Sequence, residues 1–96
     1  GTMTTRERFA QNLKNLRTHT GKTQQEVADA LGVKRGSYSG YENGAAEPNY
    51  ELLVAISAYY KMSLETLLRR EVTLASKLDH LYQDGSRLMV GMRVHE

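Results

Sequence analysis

The chain has 96 residues, with 13 Lys and Arg against 11 Asp and Glu, one proline and no cysteine. That length fits one small domain with an appendage, and the absence of cysteine excludes disulfides, thiolate nucleophiles and sulfur-ligated metals and suits a reducing, cytoplasmic setting. No run of about 18 apolar residues could cross a membrane, and a first part (residues 1–70) with ten basic and seven acidic side chains permits a polyanionic partner without demanding one.

Gly1 and Thr2 precede Met3, the expected native start, and read as a cloning remnant. Thr4 and Glu7 have capping-box spacing, and Phe9, Ala10, Leu13 and Leu16 follow at helical intervals up to a stop at Gly21. Thr23 and Glu26 repeat the box in "TQQEVADAL", a helix of about nine residues with Val27, Ala28 and Leu31 on one face and Gly32 as its stop. A third short helix is predicted from about Lys34 to Glu42, with Tyr38 and Tyr41 on its inner side, before a left-handed Gly44. Its Gly36 and Gly40 need a reason, because a glycine inside a helix costs roughly 1 kcal/mol relative to alanine.

Asn49 is the expected N-cap of "YELLVAISAYY", whose Leu52, Leu53, Ile56 and Tyr60 form a buried stripe. Ser63 caps a fifth helix with Leu64, Leu67 and Leu68. Residues 4–70 therefore read as a domain of five short helices, which must pack on one another because isolated helices below about 12–15 residues are marginal.

Residues 71–96 form a separate extension. Leu74, Leu78, Leu81 and Tyr82 predict a helix over about 71–83, and Leu88, Val90, Met92 and Val94 alternate with other residues as in a strand over about 87–94. A lone strand is incomplete, so the extension is expected to pair with a second copy, to grip another protein, or to lead into a further domain of a longer chain. Leu74, Leu78, Leu81, Tyr82, Leu88 and Val90 are its dimerisation candidates.

Several chemical motifs fail on inspection. "GKT" at residues 21–23 lacks the glycine a phosphate-binding loop needs five positions earlier, where Leu16 stands. "GSYSG" has Tyr38 in place of a nucleophilic serine. His19, His80 and His95 are scattered, so no zinc site or catalytic triad assembles locally. Nothing nominates catalysis, a metal or a cofactor.

What remains is a pair of short helices joined by a tight turn at Gly32. The DNA major groove, roughly 12 Å wide, admits one helix while the other braces it across the backbone. "TQQEVADALGV", followed by "YENG" and a proline, resembles the helix-turn-helix domain of Cro/C1-type repressors and their relatives over about Arg6 to Leu68.

The resemblance implies an all-α, five-helix, lambda-repressor-like domain whose second and third helices read double-stranded DNA, acting as a homodimeric transcriptional repressor on a two-fold symmetric site. It places Lys34, Arg35, Gly36, Ser39 and Gly40 towards base edges, with Arg35 the prime reader because a guanidinium can engage guanine O6 and N7 together. It makes Gln24, Gln25, Ser37 and Asn43 phosphate candidates, with one of the glutamines bracing the first reader side chain. Arg17 and Glu42 match a structural pair between the first and third helices, and Tyr38 and Tyr41 match core positions with hydroxyls reaching the rim. Gly36 and Gly40 depart from the family's long polar side chains, so the operator sequence is not transferable. The alternatives are an antitoxin-like module with autoregulatory DNA binding, in which residues 71–96 hold a protein partner, and the N-terminal part of a longer repressor whose C-terminal domain senses a signal or cleaves itself.

Overall fold

The computed structural model describes residues 2–73, which form five α-helices: α1 (Thr5–His19), α2 (Gln24–Leu31), α3 (Arg35–Glu42), α4 (Tyr50–Tyr60) and α5 (Leu64–Arg69). No strand occurs among the described residues. The six dimerisation candidates, the expected strand and the helix from residue 74 onwards lie outside them.

Local chemistry fixes the boundaries. Thr4 and Thr23 each accept from the N–H three residues on, while Glu7 and Glu26 accept from the cap N–H in return. Those contacts hold both exposed carboxyls below the ordinary glutamate range. Asn49 and Ser63 cap α4 and α5 in the same way, each with one side-chain acceptor. Gly32 stops α2 at φ 72°, where a side chain would strain the backbone, so α3 starts three residues later in a new direction. Lys61 ends α4 at φ 55° without being glycine. Its left-handed turn is held by Met62 N–H on the Ser57 carbonyl and by the Ser57 hydroxyl on the Met62 carbonyl.

The buried faces meet in one core. Leu13, Leu16, Val27, Tyr38, Ile56, Leu67 and Val72 are fully buried, with Phe9, Tyr60 and Met62 nearly so. Burying a large apolar side chain stabilises by about 1.5–3 kcal/mol, so this shared core holds together helices that would be marginal alone. α1 is the backbone of the domain, packing on both α5 and α3, while α2 packs on α3 and α4. Leu52 and Leu53 are half-buried, and Leu64 at the start of α5 is exposed rather than part of the core.

One buried polar residue closes the domain. Asn12 sits in the apolar register of α1 between Phe9 and Leu16, fully buried. Its Nδ2 donates to the carbonyls of Leu67 (2.8 Å) and Arg70 (2.7 Å), and its Oδ1 accepts from Val72 N–H (2.9 Å). Asn15 Nδ2 adds a bond to the Val72 carbonyl (3.0 Å). Residues 71–73 are therefore not helical, in contrast to the helix expected from 71, because α1 side chains have taken the Val72 backbone groups. Val72, beyond the end of α5, packs in the same core.

Candidate nucleic-acid interface

α2 and α3 are eight residues each, separated by residues 32–34, and pack directly on one another. Their inner sides are fixed by Val27, Ala28 and Tyr38 in the core. Their outer sides carry Gln25, Lys34, Arg35, Gly36 and Ser37, all exposed. Lys34 is the N-cap of α3 but provides no side-chain acceptor. The first N–H groups of α3 are thus left without a side-chain cap, beside two cationic side chains, at the positive end of the helix dipole.

Beneath this surface lies a polar connection from the core. Arg17 on α1 meets Glu42 at the end of α3 through two parallel bonds, Nε to Oε2 at 2.6 Å and Nη2 to Oε1 at 3.1 Å. The Arg17 side chain is 15% exposed and that of Glu42 only 3%. Arg17 Nη1 also donates to the Lys22 carbonyl (2.9 Å), tying the α1–α2 turn to the same pair. Gln24 Nε2 donates to Glu42 Oε1 (3.1 Å), and Gln24 Oε1 accepts a longer contact from Arg35 Nη1 (3.4 Å).

Burial pushes the Glu42 carboxyl up, but the hydrogen bonds from Arg17 and Gln24, with the Tyr38 hydroxyl close by, outweigh it and hold it below the ordinary glutamate range. Arg17 is raised in turn, first by its bond to Glu42. The Tyr38 hydroxyl is buried, not at the rim; it lies near Glu42 and Tyr60, but its geometry falls short of a formed hydrogen bond. Burial pushes Tyr38 up and takes Tyr60 to about 12, so both hydroxyls stay protonated. Tyr41 is half-buried against the same core.

The remaining candidates divide by surroundings. Gln25 Nε2 donates to Asp29 Oδ1 one turn on (2.8 Å). Asn43 Oδ1 accepts from Ala45 N–H (2.9 Å), which shapes the turn after α3 and leaves the side-chain Nδ2 as the group able to meet a phosphate. Ser39 and Gly40 are half-buried, because that turn folds back with Ala45 and Ala46 N–H on the Gly40 carbonyl. A Cβ at Gly40 would touch Ala46 Cβ at 3.6 Å, whereas one at Gly36 would meet nothing within 4 Å. Of these two glycines, Gly36 is therefore the open one.

Two contacts have no counterpart in the sequence reading. Arg6 Nε pairs with Glu47 Oε1 (2.8 Å), bringing the start of α1 to the α3–α4 turn in an exposed contact. Asn12 is the other, and its position at helical spacing between Phe9 and Leu16 is the signal that marks it. Among the described residues no group of His, Asp and Glu could hold a metal, and no helix is long and apolar enough to cross a membrane.

The family model described as helix-turn-helix matches residues 13–67. Relatives include the uncharacterized HTH-type transcriptional regulator YqaE of Bacillus subtilis, 44% identical over 66% of this chain and 54% of its own. The HTH-type transcriptional activator BcrR of Enterococcus faecalis is 38% identical over 70% of this chain and 34% of its own. The CTXphi transcriptional repressor RstR of Vibrio cholerae is 35% identical over 69% of this chain and 59% of its own. The chain thus spans about half the length of the first of these relatives. No solved structure matches it.

Proposed function

The chain belongs to the helix-turn-helix family of the Cro/C1 type, and from that premise we propose that it is a transcriptional repressor that reads double-stranded DNA through the major groove as a homodimer. The observation that carries the reading is α3 itself: a short helix clamped from below by Tyr38 and the Arg17–Glu42 pair, exposing Lys34, Arg35, Gly36 and Ser37 at an uncapped N-terminus. A firmly seated helix with a cationic, bare outer edge suits groove entry, whereas a catalytic site needs convergent groups that this surface lacks.

In this reading Arg35 engages a guanine edge, and Lys34 and Ser37 meet flanking phosphates. Gln25 and Asn43 add phosphate contacts from either side. Gly36 lets the α3 backbone approach the groove floor. Two copies pair through residues 71–96, and because Val72 is pinned to α1, that pairing sets the distance between the two reader helices and hence the half-site spacing.

Selection of bound sites from random duplex DNA tests the reading. The expected outcome is a two-fold symmetric site with half-sites about 10–10.5 base pairs apart, a guanine preference lost in Arg35→Ala, and a dimer in a dilution series. Recovery of unpatterned DNA, or a monomer that binds single half-sites, would contradict it.

A further inference from the structure

Arg35 is the first residue of α3 and exposed. A long cation at a helix start samples many rotamers, and fixing it costs entropy at the moment of binding. Among the described residues its side-chain partner is the Gln24 carbonyl oxygen. A glutamine amide has two unlike ends, and which end it shows to Arg35 decides whether the contact attracts or repels.

Glu42 makes that choice. An ionised carboxylate has no proton to give, so only the NH2 end of Gln24 can bond to it. The carbonyl end must then face away, towards Arg35, where it accepts. Glu42 is itself immobilised by two bonds from Arg17 and by burial. The order Arg17, Glu42, Gln24, Arg35 is therefore a chain of donors and acceptors with one allowed polarity.

We propose that Glu42 is a positioning residue for DNA reading, orienting the Gln24 amide so that it braces the Arg35 guanidinium for its base contact. The consequence reaches Gln24 as well. One N–H of its NH2 is directed to Glu42 and its carbonyl oxygen to Arg35, which suits a bracing role, and the second N–H can still donate to a phosphate.

Glu42→Gln keeps the shape but can donate as well as accept, so Gln24 is free to turn and present its NH2 to Arg35. Binding is measured with the full chain on the selected duplex and on versions carrying each base pair at the position Arg35 reads, for Glu42→Gln, Gln24→Leu and the double variant. Glu42→Gln is expected to lower the discrimination between favoured and disfavoured bases about tenfold, within the range a good bidentate contact supplies. In the Gln24→Leu background, where no amide remains to orient, the same change is expected to alter discrimination less than twofold.

An equal loss in both backgrounds, or unchanged discrimination in Glu42→Gln, would overturn the proposal. If Glu42→Gln does not fold, Gln24→Leu decides by itself, because full discrimination without the amide is incompatible with the brace. The proposal rests on Arg35 as base reader, and Arg35→Ala tests that separately on the same duplexes. Should Arg35→Ala weaken all of them equally, the relay is read in the free chain from the Arg35 Nη–H resonances, the group that meets Gln24: a shift in Glu42→Gln supports it, and no shift overturns it.

Discussion

At the scale of single residues, the Arg17–Glu42 pair couples stability to pH. Glu42 titrates below its ordinary range in the folded chain, so as pH falls the unfolded chain takes up the proton first. The pair's contribution is thus complete above the ordinary carboxylate range and is lost as pH falls through the lower folded value. Urea unfolding at about pH 7 and about pH 3 should show this loss. Glu42→Gln should reduce the difference without abolishing it, because Glu7 and Glu26 shift in the same direction. Arg17→Met should cost about 3–5 kcal/mol, since it leaves a carboxylate buried without its cation. Asn12→Leu should cost about 3 kcal/mol or more, because the Val72 N–H and the carbonyls of Leu67 and Arg70 lose their partner together. Arg17 and Glu42 were legible from family resemblance, but the role of Asn12 was not. Its partners lie 55 to 60 positions away, and sequence pattern shows only that a polar residue interrupts an apolar face.

At the scale of elements, helix starts were the most legible feature. Thr4, Thr23, Asn49 and Ser63 are local devices whose acceptors and N–H groups lie within three residues, so the sequence contains the whole interaction. The end of α4 was not legible in this way, because Lys61 takes a left-handed conformation that its side chain does not favour. Gly40 also reads differently in three dimensions. It shares a face with Gly36 by spacing, yet the turn after α3 uses its carbonyl and covers part of it. Gly36 is open, so Gly36→Ala should stabilise α3 by up to about 1 kcal/mol, read as a rise in unfolding midpoint. A more stable chain that binds its selected duplex less tightly would show that the missing side chain serves close approach to the groove. Equal affinity would make this glycine incidental to binding.

At the scale of the whole molecule, one core supports both the helix-turn-helix pair and the start of the C-terminal extension. α1 holds α3 through Arg17 and Glu42, and holds the start of the C-terminal extension through Asn12 and Asn15. α3 and the chain leading towards residues 71–96 are thereby fixed to a common support. The five-helix domain was legible because each helix carries its own periodicity and four of the five a side-chain cap, and the helix-turn-helix pair was legible because its spacing is local. A bracing glutamine was implied by the family resemblance, but its link to Glu42 was not legible, since the order Arg17, Glu42, Gln24, Arg35 joins residues from three helices whose juxtaposition exists only after packing. Groove entry by α3 is tested most directly by the backbone amide resonances of the full chain as its selected duplex is added. The shifts are expected to concentrate at Gln24–Gln25 and Lys34–Gly40, with α4 little changed. Shifts centred on α4 and α5, with α3 unmoved, would contradict the account.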